Sequence, residues 1–139
     1  MEYSINTHTT EDAEDLFVVA KERLLDVSDW RDGHTYQLTD GHKRKAHRNA
    51  HTGDFVRIAG AADTWVYISK IQYDDYPDIG GESITLFMST ETDTESMHTI
   101  AINRVGKVLT VQGFNLSFCQ DAATFLKGLI ATEEYAIAS

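Results

Sequence analysis

Apolar positions change their spacing along the chain, and each change predicts an element. After a short extended start from Glu2 to Asn6, Ala13, Leu16, Phe17, Ala20, Leu24 and Val27 recur at intervals of three and four. That spacing predicts an amphipathic helix over about 11–27, with one stripe facing a core. Thr9 or Thr10 is placed to cap it, and Glu11, Asp12, Glu14 and Asp15 fall in the opening turns, where exposed amides favour carboxylates. The acidic cluster is therefore a helix start before it is a metal site. Gly33 breaks the pattern, and Trp30 is predicted to plug the end of the core.

Extended runs follow at 35–39, 54–59, 64–73, 83–89, 97–105 and 107–114, punctuated by glycines such as Gly53, Gly60, Gly81 and Gly106. They predict an antiparallel series. Arg104-Val105-Gly106-Lys107 reads as a tight hairpin, whereas 73–81 and 90–96 read as longer acidic connections. In the longest run, strict alternation puts Trp65, Tyr67, Ser69, Ile71 and Tyr73 on one face and Val66, Ile68, Lys70 and Gln72 on the other. The aromatic row would either line a cavity or pack against the helices, and a one-residue slip would exchange its faces.

Helical spacing returns at the end. Ala122, Phe125, Leu126, Leu129 and Ile130 form a broad stripe, so a helix is predicted over about 118–132, with Ser117 and Gln120 as a capping box. Gly128 within it predicts close contact with the sheet or a local bend. A helix at each end of an antiparallel series is an α+β pattern: a curved antiparallel sheet wrapped around the long last helix, which commonly encloses a pocket.

Composition narrows the function classes. A chain of 139 residues with one proline predicts a single domain over 1–139. Twelve basic against 22 acidic side chains leave a net charge of −10, which repels phosphate backbones and argues against nucleic acid. No run approaches the roughly 20 apolar residues that span a bilayer, so membrane insertion is not expected. The lone Cys119 excludes an internal disulfide and reads as a packed thiol, and with no signal-like start the setting predicted is cytoplasmic.

Candidate chemistry is sparse. His47 and His51 would share a face if their segment were helical, with His42 folding back, yet Lys43, Arg44, Lys45 and Arg48 oppose a divalent cation. We therefore expect a solvated loop and no metal or cofactor. The acidic stretch 74–78 lacks the ligand alternation of a calcium loop and reads as a polar turn. His98 alternates with Ile100, Ile102 and Arg104, which would carry it inward as a core residue or as a general base near neutral pH. Asp54 and Arg57 lie on opposite faces of their run and make no acid and base pair.

The order strand, helix, turn ending in Trp30, six strands and a last helix resembles the helix-grip fold of the START-like, Bet v 1-like (SRPBCC) superfamily, as does the phrase Leu24-Leu25-Asp26-Val27-Ser28-Asp29-Trp30. A narrower resemblance, through Gly53-Asp54-Phe55-Val56-Arg57-Ile58 and the pair Trp65-Val66, is to small uncharacterised bacterial proteins with no activity to carry over. The superfamily resemblance implies a cavity between the sheet and the last helix that holds a hydrophobic ligand. Some members catalyse cyclisation, dehydration or hydrolysis there, without a shared catalytic signature.

The expected function is thus binding of a small hydrophobic or aromatic molecule in that cavity, with Arg57, Trp65, Tyr67, Tyr73, Phe87 and His98 as ligand-binding candidates. One alternative is a cavity enzyme of cyclase, dehydratase or hydrolase type using histidine or tyrosine acid–base chemistry. The other is a homodimeric interaction module, with the basic loop Lys43 to Arg48 contacting acidic partner surface.

Overall fold

The computed structural model describes residues 1–60, 64–90 and 93–139, and is an α+β fold. Strand β1 (Glu2–Asn6) leads into helix α1 (Thr10–Leu25), and a 3-10 turn (Val27–Asp29) ends at Trp30. Strands β2 (Tyr36–Thr39), β3 (Phe55–Ile58), β4 (Thr64–Tyr76), β5 (Gly81–Thr90), β6 (Asp93–Val105) and β7 (Val108–Phe114) follow, then helix α2 (Ala122–Ile130). All neighbours pair antiparallel in the order β1-β7-β6-β5-β4-β3-β2. The first strand thus closes on the last, and the exposed edge of β1 is covered in turn by the chain end, where Ser4 and Ala138 exchange backbone hydrogen bonds of 2.7 and 2.8 Å.

Helix α1 starts as its pattern dictates. Thr9 caps it by accepting from the Asp12 amide, and Ala13, Phe17, Ala20 and Leu24 are buried. One face of the sheet carries Val56, Val66, Ile68, Ile84, Leu86, Ile100, Ile102, Leu109 and Val111, all fully buried against the helices. Both ends of the sheet reach α2. The Tyr36 hydroxyl of β2 donates to Cys119 Sγ just before α2, its ring stacks at 6.5 Å from Phe125, and the Tyr3 ring of β1 lies under the Lys127 ammonium.

Several expectations change in tertiary context. Helix α2 starts at Ala122, not near Phe118, and its cap is Asp121, not a Ser117–Gln120 box. Asn115 and Asp121 hold left-handed backbone (φ 56° and 55°), and the intervening turn is fastened by burial of Leu116 and Cys119 and by the Arg31 guanidinium on the Gln120 carbonyl. Helical propensity yields to those contacts. The expected connection at 73–81 is mostly strand, since β4 runs to Tyr76 and pairs it with Gly81 across a short turn at Pro77–Ile79. Likewise β6 starts at Asp93, inside the loop expected over 90–96, of which residues 91 and 92 lie outside the described residues. The tight turn at Gly106 (φ 59°) joins β6 and β7 as predicted.

Gly128 makes no close sheet contact: a Cβ there would meet nothing within 4 Å. The close approach is at Gly113 of β7, where a Cβ would stand 2.6 Å from Leu116 Cδ1 and 2.7 Å from Leu126 Cδ1. Gly113→Ala is expected to lower stability by about 1–3 kcal/mol through overpacking. Gly128→Ala should be neutral or raise it by up to about 1 kcal/mol. Urea midpoints of the two variants test the contrast; equal losses would contradict it.

Candidate functional site

A β-bulge decides which candidate residues share a face. Pairing runs Ile68↔Met88 and then Lys70↔Phe87, leaving Ser69 as the extra residue, its hydroxyl donating to the Phe87 carbonyl at 3.2 Å. Before the bulge, Val66 and Ile68 face the helices while Trp65 and Tyr67 face away; after it, Ile71 and Tyr73 take the helix face opposite Leu86 and Ile84. The aromatic row predicted on one side is therefore divided.

Arg57, Trp65, Tyr67 and Phe87 lie on the outer face of the sheet. There Phe55 packs at 6.2 Å from Trp65 and 5.2 Å from Tyr67, and the Lys43 ammonium stands 4.7 Å over the Trp65 ring. Tyr73 sits on the helix face near the end of β4, its hydroxyl pKa raised by desolvation and by the Glu22 carboxylate. His98 is buried on the inner face beside Ile100 and Ile102, as its alternation predicted. Its Nδ1 donates to the Asn115 carbonyl, Phe118 packs edge-on at 5.2 Å, and Nε2 is buried with no hydrogen-bond partner among the described residues.

The histidine-rich segment is not helical, so His47 and His51 do not form a helical pair, and both are exposed. Its anchor is Arg48, whose guanidinium grips the buried Asp54 carboxylate at 2.6 and 3.0 Å; the pairing raises the Arg48 pKa. Elsewhere His8, Asp12 and Glu134 bring ligand atoms within 4.8 Å of one another at the surface, and the Tyr135 hydroxyl donates to Asp12 at 2.8 Å. This is a polar clasp between the start of α1 and the chain end. Cys119 is buried, and burial pushes its thiol pKa up, as suits a packed thiol.

Open volume lies elsewhere, in a groove of about 880 Å³ between α1, α2 and the turn at Trp30, with no strand residue lining it among the described residues. The space between sheet and α2, where the resemblance implied a cavity, holds the core of buried side chains. Each wall of the groove has a local cause. Trp30 is fixed by its indole N–H on the Leu24 carbonyl at 3.1 Å and by rings 5.5 Å away on Tyr36 and 4.8 Å away on Phe125. Arg23 reaches from α1 to the carbonyls of Gly128, Leu129 and Ala131 at 3.3, 3.3 and 2.8 Å, satisfying the last turn of α2. Arg31, with φ 58°, turns onto the Gln120 and Asp121 carbonyls.

Asp32 holds the chain's exit from this turn. Its carboxylate accepts from the Thr35 hydroxyl and from the His34 and Thr35 amides, which push its pKa down. A lowered folded-state pKa stabilises the turn above the unfolded value of 3.8 and loses that contribution as pH falls. The floor between these supports is apolar: Val18 and Val19, 51% and 44% exposed, line it with Trp30, Phe125 and Leu129.

None of the six predicted ligand-binding residues lines this groove. What the sequence reading passed over is the pair Val18 and Val19, apolar but outside the core stripe of α1, which is the signal that a second face of that helix is not simply solvated. No family model matches the chain, and no curated protein or solved structure matches it. Among the described residues no helix is long and apolar enough to cross a membrane.

Proposed function

We propose that the chain is a helix-grip-type binding domain that holds a small, largely apolar molecule in the groove between α1 and α2. The architectural support is the strand order, which brings β1 beside β7, together with contacts from both ends of the sheet to α2. The observation that carries the reading is the groove itself. Its volume of about 880 Å³ is in the range of small-molecule sites, and its floor exposes valines that folding leaves unburied.

The pocket is thereby moved from the sheet side of α2 to the side it shares with α1. His98 and the outer-face aromatics take no part in binding there, and acid–base catalysis by His98 has no support from the groove. Gly128 provides a clean test, because it lines the groove and a Cβ there would have open space around it, with nothing within 4 Å. Native mass spectrometry of freshly purified protein is expected to retain a small apolar compound that Gly128→Leu releases, with an unfolding midpoint no lower than that of ligand-stripped wild type. Retention unchanged in Gly128→Leu would put the ligand elsewhere; a bare dimer would favour the interaction module.

A further inference from the structure

The groove's charges go further than its shape, and the following rests on the groove being the binding site. Four carboxylates line it, Glu22, Asp26, Asp29 and Asp32, against two guanidiniums, Arg23 and Arg31. Both arginines are engaged with the protein itself. Arg23 lies on the terminal carbonyls of α2, whose partial negative charge offsets its own, and Arg31 lies on the Gln120 and Asp121 carbonyls, with Nη2 3.9 Å from the Asp121 carboxylate.

The carboxylates are differently placed. Asp32 is taken up by its own turn, and Glu22 accepts one amide hydrogen bond from Asn49 at 2.9 Å. Among the described residues, no cation lies within ion-pairing distance of Glu22, Asp26 or Asp29. Three unneutralised carboxylates beside an apolar floor favour one kind of guest, in which a positive head meets the rim while an apolar body covers Val18, Val19 and Phe125. The chain's net charge of −10 also concentrates cations and repels anions at long range.

We propose that the ligand class of this groove is the small cationic amphiphile, an amine or quaternary ammonium on an aliphatic or aromatic body. The test is calorimetric titration of the full chain, at low ionic strength and neutral pH, with 4-phenylbutylamine, 4-phenylbutanol and 4-phenylbutyrate. These share one apolar body and differ in charge. The amine is expected to bind about tenfold more tightly than the alcohol, with the carboxylate weakest and the preference shrinking in added salt.

In the double variant Asp26→Asn, Asp29→Asn, whose side chains keep their shape, the preference should fall to about threefold or less. Gly128→Leu should weaken all three probes. Equal affinity for amine and alcohol, both lost in Gly128→Leu, would overturn the cationic class and leave the groove reading standing. Absence of binding by every probe, or binding indifferent to Gly128→Leu, would overturn both. A preference that survives the double variant would also overturn the assignment to these carboxylates.

Discussion

Trp30→Ala is expected to destabilise the protein by about 3–5 kcal/mol, the range for truncating a buried aromatic. The indole is 3% exposed and joins three elements at once: it donates to the Leu24 carbonyl at the end of α1, meets Tyr36 of β2 edge-on, and tilts against Phe125 of α2. Removing it leaves a cavity where the helices converge and a carbonyl without its donor. Trp30→Phe should lose less, since a ring still packs on Tyr36 and Phe125 and only the hydrogen bond and some volume go. Urea unfolding followed by circular dichroism measures both. A loss below about 1 kcal/mol for alanine would show that the turn repacks and that Trp30 does not hold the groove's end.

The second large effect is expected at Arg48. Asp54 is buried and accepts two hydrogen bonds from the Arg48 guanidinium and one from the His51 amide, while its own carbonyl pairs with the Ile68 amide. Arg48→Ala leaves a desolvated carboxylate with one donor, at a cost of about 2–4 kcal/mol; because the arginine side chain is 37% exposed, the loss should fall short of a fully buried pair. Arg48→Lys should recover little, because an ammonium lacks the planar fork. Asp54→Asn combined with Arg48→Ala should be less damaging than the sum of the single changes. A double-mutant cycle reads that coupling, and strict additivity would mean the pair contributes nothing.

The Asp54 pair also marks where sequence reading stops. The basic run 43–48 was legible as a solvated loop. That one of its four cations is the tether depends on Arg48 meeting a carboxylate six residues further on, across a path no periodicity predicts. Ser69 is the second such place. Alternation placed Val66 and Ile68 correctly opposite Trp65 and Tyr67, then misassigned Tyr73, because an extra residue in one strand reverses the alternation without a compositional signature. Of the six candidate ligand residues, Arg57, Trp65, Tyr67 and Phe87 sit on the outer face and the bulge sends Tyr73 to the inner one.

The glycines make the same point through space. Gly128 looked like the close contact because it lies within an apolar helix, yet it faces open groove, whereas Gly113 on β7 is where Leu116 and Leu126 press against the sheet. A glycine's neighbours are set by elements far away in the chain. The start of α2 was similarly overridden, by Arg31 reaching from the Trp30 turn to the Gln120 carbonyl.

What the sequence by itself determined was carried by short-range regularity wherever no distant contact overrode it. The spacing of Ala13, Phe17, Ala20 and Leu24 made α1, the alternation of His98, Ile100, Ile102 and Arg104 made the buried face of β6, and Gly106 made the last hairpin turn; backbone geometry repeats every few residues and leaves its period in the side chains. What only the tertiary structure decided is where distant residues meet: the bulge that splits the aromatic row, the arginines that fasten α2, and the groove lined by α1, the Trp30 turn and α2. The bulge joins strands about 18 positions apart and the arginine contacts join residues some hundred apart, and their energies depend on burial and geometry that exist only once the chain has folded.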